Sequence, residues 1–530
     1  MTKLRHLSLL LLVFMFSSVS AQEDVFVGES CTSIMVGRDA SADGSVITSH
    51  TCDGRYRTWV TIEPAADHPA GSLHAVYKGT AHTVSPEDTT GVRLVGEIPE
   101  VSHTFAYINT AYPSMNEHQL AIGETTFGGP DTLRNADGMF LIEELQRIAL
   151  QRCSTAVDAV VLIGRLVEQY GYSDGGECIT IADRNEIWQM EILGAGKNNR
   201  GGIWAAQRVP DNHVAVSANI PRIGLLRRDD TATFRCSDNI ESVALNHGLW
   251  NGTDTFVFWR AFLPNYAEGR NFREREYFIL NSVAPSLQLS FESPEMPFSV
   301  QPDRKVSVED VMALFRSTYE GTDFDMCRNL TVPMQIKDSL GTVRTVDEIS
   351  PIANPWMTSA TQSLLNSMKP DAVTFRRTIS VAWCSYSWVA QLRANQPDAV
   401  GGICWFSVDN PGQSPRIPIF CGTTSLPADF ARCGQRNYDQ DAIVWKFRRA
   451  NKLATLAWQR TRNEMIDSVL TLQTYAFDGL SALENQVARL SDLTVVSDLL
   501  NGYTARIYQM SVTAWTALEA SYWKRFGLGF

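Results

Sequence analysis

The sequence predicts an α+β protein with mostly antiparallel sheets, and three observations carry that prediction. Strand-like and helix-like stretches fall in separate runs instead of alternating. Successive strand-like stretches are joined by turns too short for a crossover, so neighbours must run antiparallel. From about residue 439 onward the pattern is helical, with few Gly or Pro to interrupt it.

In chain order, the first element is "MTKLRHLSLLLLVFMFSSVSAQ". Lys3 and Arg5 precede an apolar run from Leu7 to Phe16, and Ser17 to Ala21 close it with small residues. This is the pattern of a secretory signal peptide, cleaved after Ala21, and the run is too short to span a bilayer. "QEDVFVGES", residues 22–30, is acidic and lacks helical periodicity. "CTSIMVG" and "SVITSH" then flank "RDASADG", a hairpin whose Asp43-Gly44 pair supplies the positive φ of a tight turn. "DGMFLIEELQRIALQR" places Phe140, Leu141, Leu145, Ile148 and Ala149 at helical spacing. "STAVDAVVLIGRLVEQYG" is a second helix, with Ser154 or Thr155 as N-cap and Gly171 as stop. "CITIAD", "EIWQMEILG", "GIWAAQRV" and "HVAVSAN" read as one antiparallel meander over about 178–219. "SVEDVMALFRSTYEG" is a helix capped by Ser307 and ended by Gly321, and strands return at "TISVAWCSYSWVAQL" and "AVGGICWFSVDN".

Bulk properties narrow the function. A chain of 530 residues holds two or three units or one large enzyme domain. With 44% hydrophobic and 20% charged residues it has the composition of a folded globular protein, not a disordered one. The net charge of −12, without a long basic run, argues against nucleic acid and anionic lipid as partners. No repeat of solenoid length is present. The ten cysteines are too scattered for a small disulfide scaffold, and most are expected to be inert packed thiols. Neither C-x-x-C nor H-E-x-x-H occurs, so no metal or cofactor is expected. The 13 Trp and 15 Tyr are spread over helices and strands as core residues.

Cys31 is the candidate for chemistry. A free thiol is mostly protonated at neutral pH and needs activation to be a nucleophile. No papain-type signature surrounds it, and it opens a strand instead of a helix. Its own α-amine, freed by a cut between Ser30 and Cys31, has a pKa of about 7.7–8.0 and serves as a base without any histidine. A lipoprotein cysteine is ruled out, because Gly28-Glu29-Ser30 lies well past the apolar run. On spacing alone, a structural thiol and an N-terminal nucleophile both stay open.

"CTSIMVGRDASADGSVI" resembles the start of the mature dipeptidases of family C69, C-T-x-x-x-V-G-x-x-A-[ST]-x-D-G-S. "MNEHQLAIGETTFGG", "CITIADRNEIWQMEILG", "WAAQRVPDNHVAVSANIPRI", "TYEGTDFDM" and "RTISVAWCSYSWVAQLR" look like further family blocks in family order, up to about residue 430. The resemblance implies the N-terminal nucleophile hydrolase fold, a four-layer αββα sandwich shared with penicillin V acylase and bile salt hydrolase. It implies Cys31 as nucleophile, Asp53 as the carboxylate holding its amine, and Asn219 as an oxyanion donor worth roughly 3 kcal/mol. His50, Asn116, Glu124 and Arg377 form the candidate substrate-binding set. Asn116 and Glu124 also read as turn and strand-edge residues.

One departure stands out. Family members carry R-N-x-D before the aspartate, whereas "SHTCDGRYR" places His50 at the arginine and Thr51 at the asparagine. His50 replaces the arginine's charge only when protonated; otherwise Arg55 or Arg57 must reach back, or His50 is a pocket wall. Cys52 reads as a packed thiol.

The expectation is an exported dipeptidase, periplasmic or secreted, that acts on small peptides without metal or cofactor. It has a signal peptide at 1–21, a propeptide at 22–30, a hydrolase domain at 31–435 and a helical region at 436–530. Nucleic acid is not a partner, the membrane is not one after signal removal, and a homo-oligomer is an open option. The alternatives are an amidase of acylated amino acids or bile-acid conjugates, and a non-catalytic exported binding protein.

Overall fold

The computed structural model describes residues 30–263, 270–337, 339 and 341–528. The expected signal peptide, and the 22–30 segment except Ser30, lie outside the described residues. Ser30–Val36 (β1) and Val46–Asp53 (β2) pair as the predicted hairpin. Asp43 shapes its turn by accepting from the Ser45 N–H at 3.0 Å, and Gly44 takes the left-handed φ of +79° that the turn requires.

Ten more strands complete two antiparallel sheets: Ala121–Thr126 (β3), Glu177–Ala182 (β4), Ile187–Gly194 (β5), Gly202–Val209 (β6), Val214–Ser217 (β7), Phe234–Cys236 (β8), Ser299–Val300 (β9), Cys384–Leu392 (β10), Gly402–Val408 (β11) and Ile417–Phe420 (β12). The seven-stranded sheet runs β9-β7-β1-β2-β10-β11-β12, and the five-stranded sheet runs β8-β6-β5-β4-β3. The expected meander is therefore cut short. β4, β5 and β6 do follow one another, but after the Pro210–His213 turn β7 leaves for the other sheet and pairs with β1. That transfer brings Asn219, two residues past the end of β7, beside the start of β1.

Seven helices matter here: Ile142–Arg152 (α1), Ala156–Tyr170 (α2), Arg270–Val283 (α3), Val308–Phe315 (α4), Ile443–Thr455 (α5), Trp458–Val487 (α6) and Leu493–Phe526 (α7). Thr155 caps α2 by accepting from the Asp158 N–H, and Gly171 ends it. Ser307 and Asp310 form a capping box on α4. α4 stops at Phe315 instead of continuing to Gly321. The Ser317 carbonyl accepts from the Ser380 N–H at 3.0 Å and the Tyr319 hydroxyl donates to the Arg377 carbonyl at 3.2 Å. Tyr319 itself is left-handed at φ +62°, so this stretch abandons the helix to pin the strand-entry segment that carries Arg377.

Alternation along the strands decides which face each residue serves. In β1 and β7, Ile34, Val36, Val214 and Val216 pack with Ile279 and Leu280 of α3 and Val311, Met312 and Phe315 of α4. The interleaved Met35 and Ala215 belong to the other core, with Trp388, Ala390 and Phe406. α2 lies on β4, β5 and β6, while α5 and α7 lie on β11 and β12.

Between the sheets, β1 and β2 lie across β3 and β4, and the contact there is made by small polar residues. The Thr48 and Thr180 hydroxyls meet at 3.0 Å, and those of Thr125 and Ser217 at 2.5 Å. A Cβ on Gly123 would lie 2.8 Å from the Thr180 hydroxyl and 2.9 Å from the Ser49 carbonyl, so no larger residue permits this approach. The mixed α+β class with antiparallel sheets and C-terminal helices is thus as the sequence predicts.

Candidate active site

Cys31 is the second residue of β1 and faces Cys52 across the hairpin; Ser30 faces Asp53 and Thr32 faces Thr51. Cys31 is only 2% exposed. Its N–H donates to Asn219 Oδ1 at 2.9 Å, and its thiol donates to Glu124 Oε1 at 3.1 Å. Nitrogen and sulfur, the two atoms an N-terminal nucleophile needs, are therefore held separately, from β7 and from β3.

Asn219 is fixed from three sides. Its φ is +64°, a left-handed backbone that Asn tolerates better than most residues. Its Nδ2 donates to the Thr126 carbonyl at 2.6 Å, and its Oδ1 also accepts from Arg275 Nη2 at 2.8 Å. Arg275 reaches in from α3, bonding the Cys31 and Ala218 carbonyls and, at 2.9 Å, the Thr32 hydroxyl. Burial and neighbouring Arg377 lower its pKa to about 9, still above neutrality, so it stays a cation.

Asp53 lies on the other side of the hairpin. Its Oδ2 accepts from Arg377 Nη2 at 2.6 Å and from the Thr51 hydroxyl at 2.9 Å. Arg377 also donates to the Ser30 hydroxyl, at 3.0 Å from Nε and 2.7 Å from Nη2. Here Asn219, not Asp53, accepts from the Cys31 nitrogen, and Asp53 locks the residue before it through Arg377.

Glu124 has a different environment. Burial pushes its carboxyl up to about 7, opposed by hydrogen bonds from the Cys31 thiol and from Glu177. Glu177 is itself raised by burial and by Glu124. Two buried carboxyls in contact share protons as a pair. Burial, then Glu124, Cys52 and Asp53, also raise the Cys31 thiol well above its ordinary value, so in the uncut chain it is a thiol and not a thiolate.

His50 is fully buried, with Tyr112, Tyr386 and Trp388 at ring centroid distances of 6.0, 6.0 and 5.8 Å. Its Nδ1 donates to the Glu124 carbonyl at 2.9 Å, and its Nε2 lies 3.6 Å from Glu124 Oε1. Burial lowers its pKa to about 3, so the ring is neutral and does not supply the missing arginine's charge. Nor do the two nearby arginines. Arg55 is exposed, and Arg57 donates to Asn109 Oδ1 at 2.6 Å and the Thr110 carbonyl at 2.5 Å. The cation beside Cys31 is Arg275.

Of the residues singled out in the sequence, Cys31, His50, Asp53, Glu124, Asn219 and Arg377 come together. Asn116 does not. Its Oδ1 accepts from the N–H groups of His118 and Leu120, and its Nδ2 donates to the carbonyls of Leu150 and Cys153, both at 2.8 Å. All four hydrogen-bonding positions go to backbone, so it is a clasp between the β3 turn and the end of α1. Cys52 is buried opposite Cys31, and none of the ten cysteines is joined in a disulfide. Arg275 and Glu177 were not found from sequence. Arg275 hides in "REREYF", a charged run that reads as a solvated helix face, yet Arg273 to Glu276 are all buried.

Asn219 and Glu177 line a cleft of about 400 Å³ that also presents Tyr56, Phe127, Arg134, Glu143 and Asp174. A larger cleft, of about 970 Å³, lies between the 320–328 loop, the 331–349 hairpin and the start of α6, and holds none of the residues around Cys31.

The profile of the family described as Peptidase family C69 matches residues 30–470. The chain is similar to a probable dipeptidase of Latilactobacillus sakei, 23% identical over 490 residues that cover 87% of this chain and 92% of that protein. It is similar to a probable dipeptidase B of Streptococcus pyogenes serotype M1, 22% identical over 484 residues, covering 89% and 87% of the two chains. A probable dipeptidase B of Lactococcus lactis subsp. lactis is 23% identical over 445 residues, covering 78% and 79%.

Proposed function

The chain belongs to peptidase family C69, and from that premise we propose that it is exported as a precursor, cuts itself after Ser30 and hydrolyses dipeptides with the thiol of its new N-terminus. It is a cysteine-type dipeptidase, a hydrolase of peptide bonds. The observation that carries the mechanism is the double grip on Cys31, nitrogen on Asn219 and sulfur on Glu124. The order helix, sheet, sheet, helix supports the N-terminal nucleophile hydrolase fold.

In the self-cleavage, the Cys31 sulfur attacks the Ser30 carbonyl carbon, and the thiol proton passes to the departing Cys31 nitrogen. Water then hydrolyses the thioester, leaving a carboxylate on Ser30 and an amine on Cys31. Arg377, bonded to both Ser30 and Asp53, holds the scissile bond in place. In the mature enzyme the amine takes the thiol proton, the thiolate attacks the dipeptide carbonyl, the amine protonates the leaving amino acid, and water resolves the acyl-enzyme. Asn219 Oδ1 orients the amine. Asn219 Nδ2 carries two N–H donors, so one holds the Thr126 carbonyl while the second is left for the oxyanion.

The cleft suits a substrate charged at both ends. Arg134 is a cation for its carboxylate, and Asp174 and Glu143 are acidic groups for its ammonium. N-terminal sequencing and intact mass of protein from an exporting host, wild type beside Cys31→Ala, test the reading. A wild type beginning at Cys31, with the variant uncut, is the expected result. A wild type that keeps residues 22–30 and still cleaves dipeptides overturns the amine mechanism.

A further inference from the structure

Cys31 Sγ, His50 Nε2 and Glu124 Oε1 converge on one another inside the protein, all within 4.8 Å. The Sγ to Oε1 distance is 3.1 Å and the Nε2 to Oε1 distance 3.6 Å. Nδ1 of His50 donates its proton to the Glu124 carbonyl, which leaves Nε2 as the bare lone-pair nitrogen. That nitrogen is fully buried and has no hydrogen-bond partner. A buried acceptor aimed at a thiol and a carboxylate oxygen is an unsatisfied arrangement, and only a proton or a cation relieves it.

We propose that these three atoms form a site for one thiophilic divalent cation, zinc above all, which binds reversibly and silences the nucleophile. The chemistry of the donors is that of zinc: one thiolate, one imidazole with its other N–H tied to a carbonyl, and one carboxylate. Zinc ligands at bond lengths of about 2.0–2.3 Å stand roughly 3.3–3.8 Å apart, which the two separations from Glu124 Oε1 nearly match, while Sγ and Nε2 lie within 4.8 Å. Charge also fits, since a dication with one thiolate, one carboxylate and a neutral imidazole is electrically neutral and is buried at little cost. On binding, the thiol proton, and the carboxyl proton where present, leave to solvent, and the sulfur lone pair that attacks substrate is occupied by the metal. His50 thus has a use that the arginine usual at its position does not have. The site rests on the uncut geometry and does not require cleavage after Ser30.

Cobalt and zinc are the probes, on full-length or processed protein stripped with a chelator. One zinc per chain by atomic emission is expected after dialysis. Co²⁺ is expected to give a thiolate-to-cobalt charge-transfer band that is missing in Cys31→Ser, and zinc is expected to inhibit dipeptide hydrolysis reversibly. His50→Gln and Glu124→Gln, on different strands, should each weaken zinc by more than the roughly 10–100-fold that losing an outer partner costs. Folding of each is checked by circular dichroism. Wild-type protein without the cobalt band, or with a band that survives Cys31→Ser, overturns the site. So does zinc affinity unchanged in either folded variant.

Discussion

Cys31 stands between two buried carboxylates that the protein treats in opposite ways. Asp53 is matched by Arg377 at 2.6 Å and Thr51 at 2.9 Å, a charge paired with a charge. Glu124 has no Arg or Lys partner among the described residues; it has a thiol, a neutral imidazole and a second carboxyl, Glu177. A buried charge that is paired holds its neighbours still, whereas an unpaired buried carboxyl keeps its proton and can exchange it. One side of the thiol is built to position, the other to carry protons.

The largest effect expected is at the group both sides serve. Cys31→Ala removes the nucleophile and should lower dipeptide hydrolysis by about 10⁴-fold or more, read as product formation by chromatography. Residual activity near wild type would remove the reason for comparing the two sides.

The next experiment sets the sides against each other. Arg377→Met strands the Asp53 charge and should cost about 3–5 kcal/mol in urea unfolding at pH 7.5. Glu124→Gln strands nothing and should leave stability equal or slightly higher at that pH. The sign follows from linkage: a carboxyl raised in the folded state from 4.5 to about 7 gives stability that is present below 4.5 and lost as pH rises toward 7. Glu124→Gln should therefore flatten, in chelator-containing buffer, the fall in stability across that window. The slope will not vanish, because burial raises Glu143 and Glu191 into the same range. Equal losses from the two variants would erase the distinction.

Arg275 sharpens it. Lys cannot reproduce the fork that reaches Asn219 Oδ1, the Ala218 carbonyl and the Thr32 hydroxyl. Arg275→Lys should lower kcat by about 10–100-fold through misplacement of Asn219, with KM little changed. The smallest effect on chemistry belongs to Asn116→Ala. It should cost about 1–3 kcal/mol in unfolding for its lost backbone clasp, while kcat/KM per folded molecule stays within about twofold.

What was legible in the sequence followed local rules. The Asp43-Gly44 hairpin and the Thr155 and Ser307 caps all depend on residues within a few positions of one another. Cys31, Asp53, Glu124 and Asn219 were legible through their blocks, yet who bonds whom was not. The transfer of β7 to the other sheet depends on a pairing with β1 nearly two hundred residues away, and that pairing decides that Asn219 meets the Cys31 nitrogen. Arg275 was hidden for a physical reason. Four consecutive charged residues on a helix signify a solvated surface, unless each finds a partner inside. Here Glu274 meets Arg376, and Glu276 meets Arg222 at 2.6 Å. α4 ended early because tertiary bonds to Ser380 and Arg377 overrode helix continuation.

The Gly123 contact has a mechanical consequence. Cys31 and Asn219 ride on one sheet and Glu124 on the other, so the length of the hydrogen bond from the thiol to Glu124, 3.1 Å, is set by the gap between the sheets. Hydroxyls and a missing side chain set that gap, and neither yields by repacking as a layer of leucines would. Gly123→Ala, one methyl group next to Glu124, acts as a shim: it should pull the accepting carboxyl off the thiol while both sheets stay folded. The bond between thiol and carboxyl is thus a gauge of inter-sheet spacing, and a single methyl group is enough to move its needle.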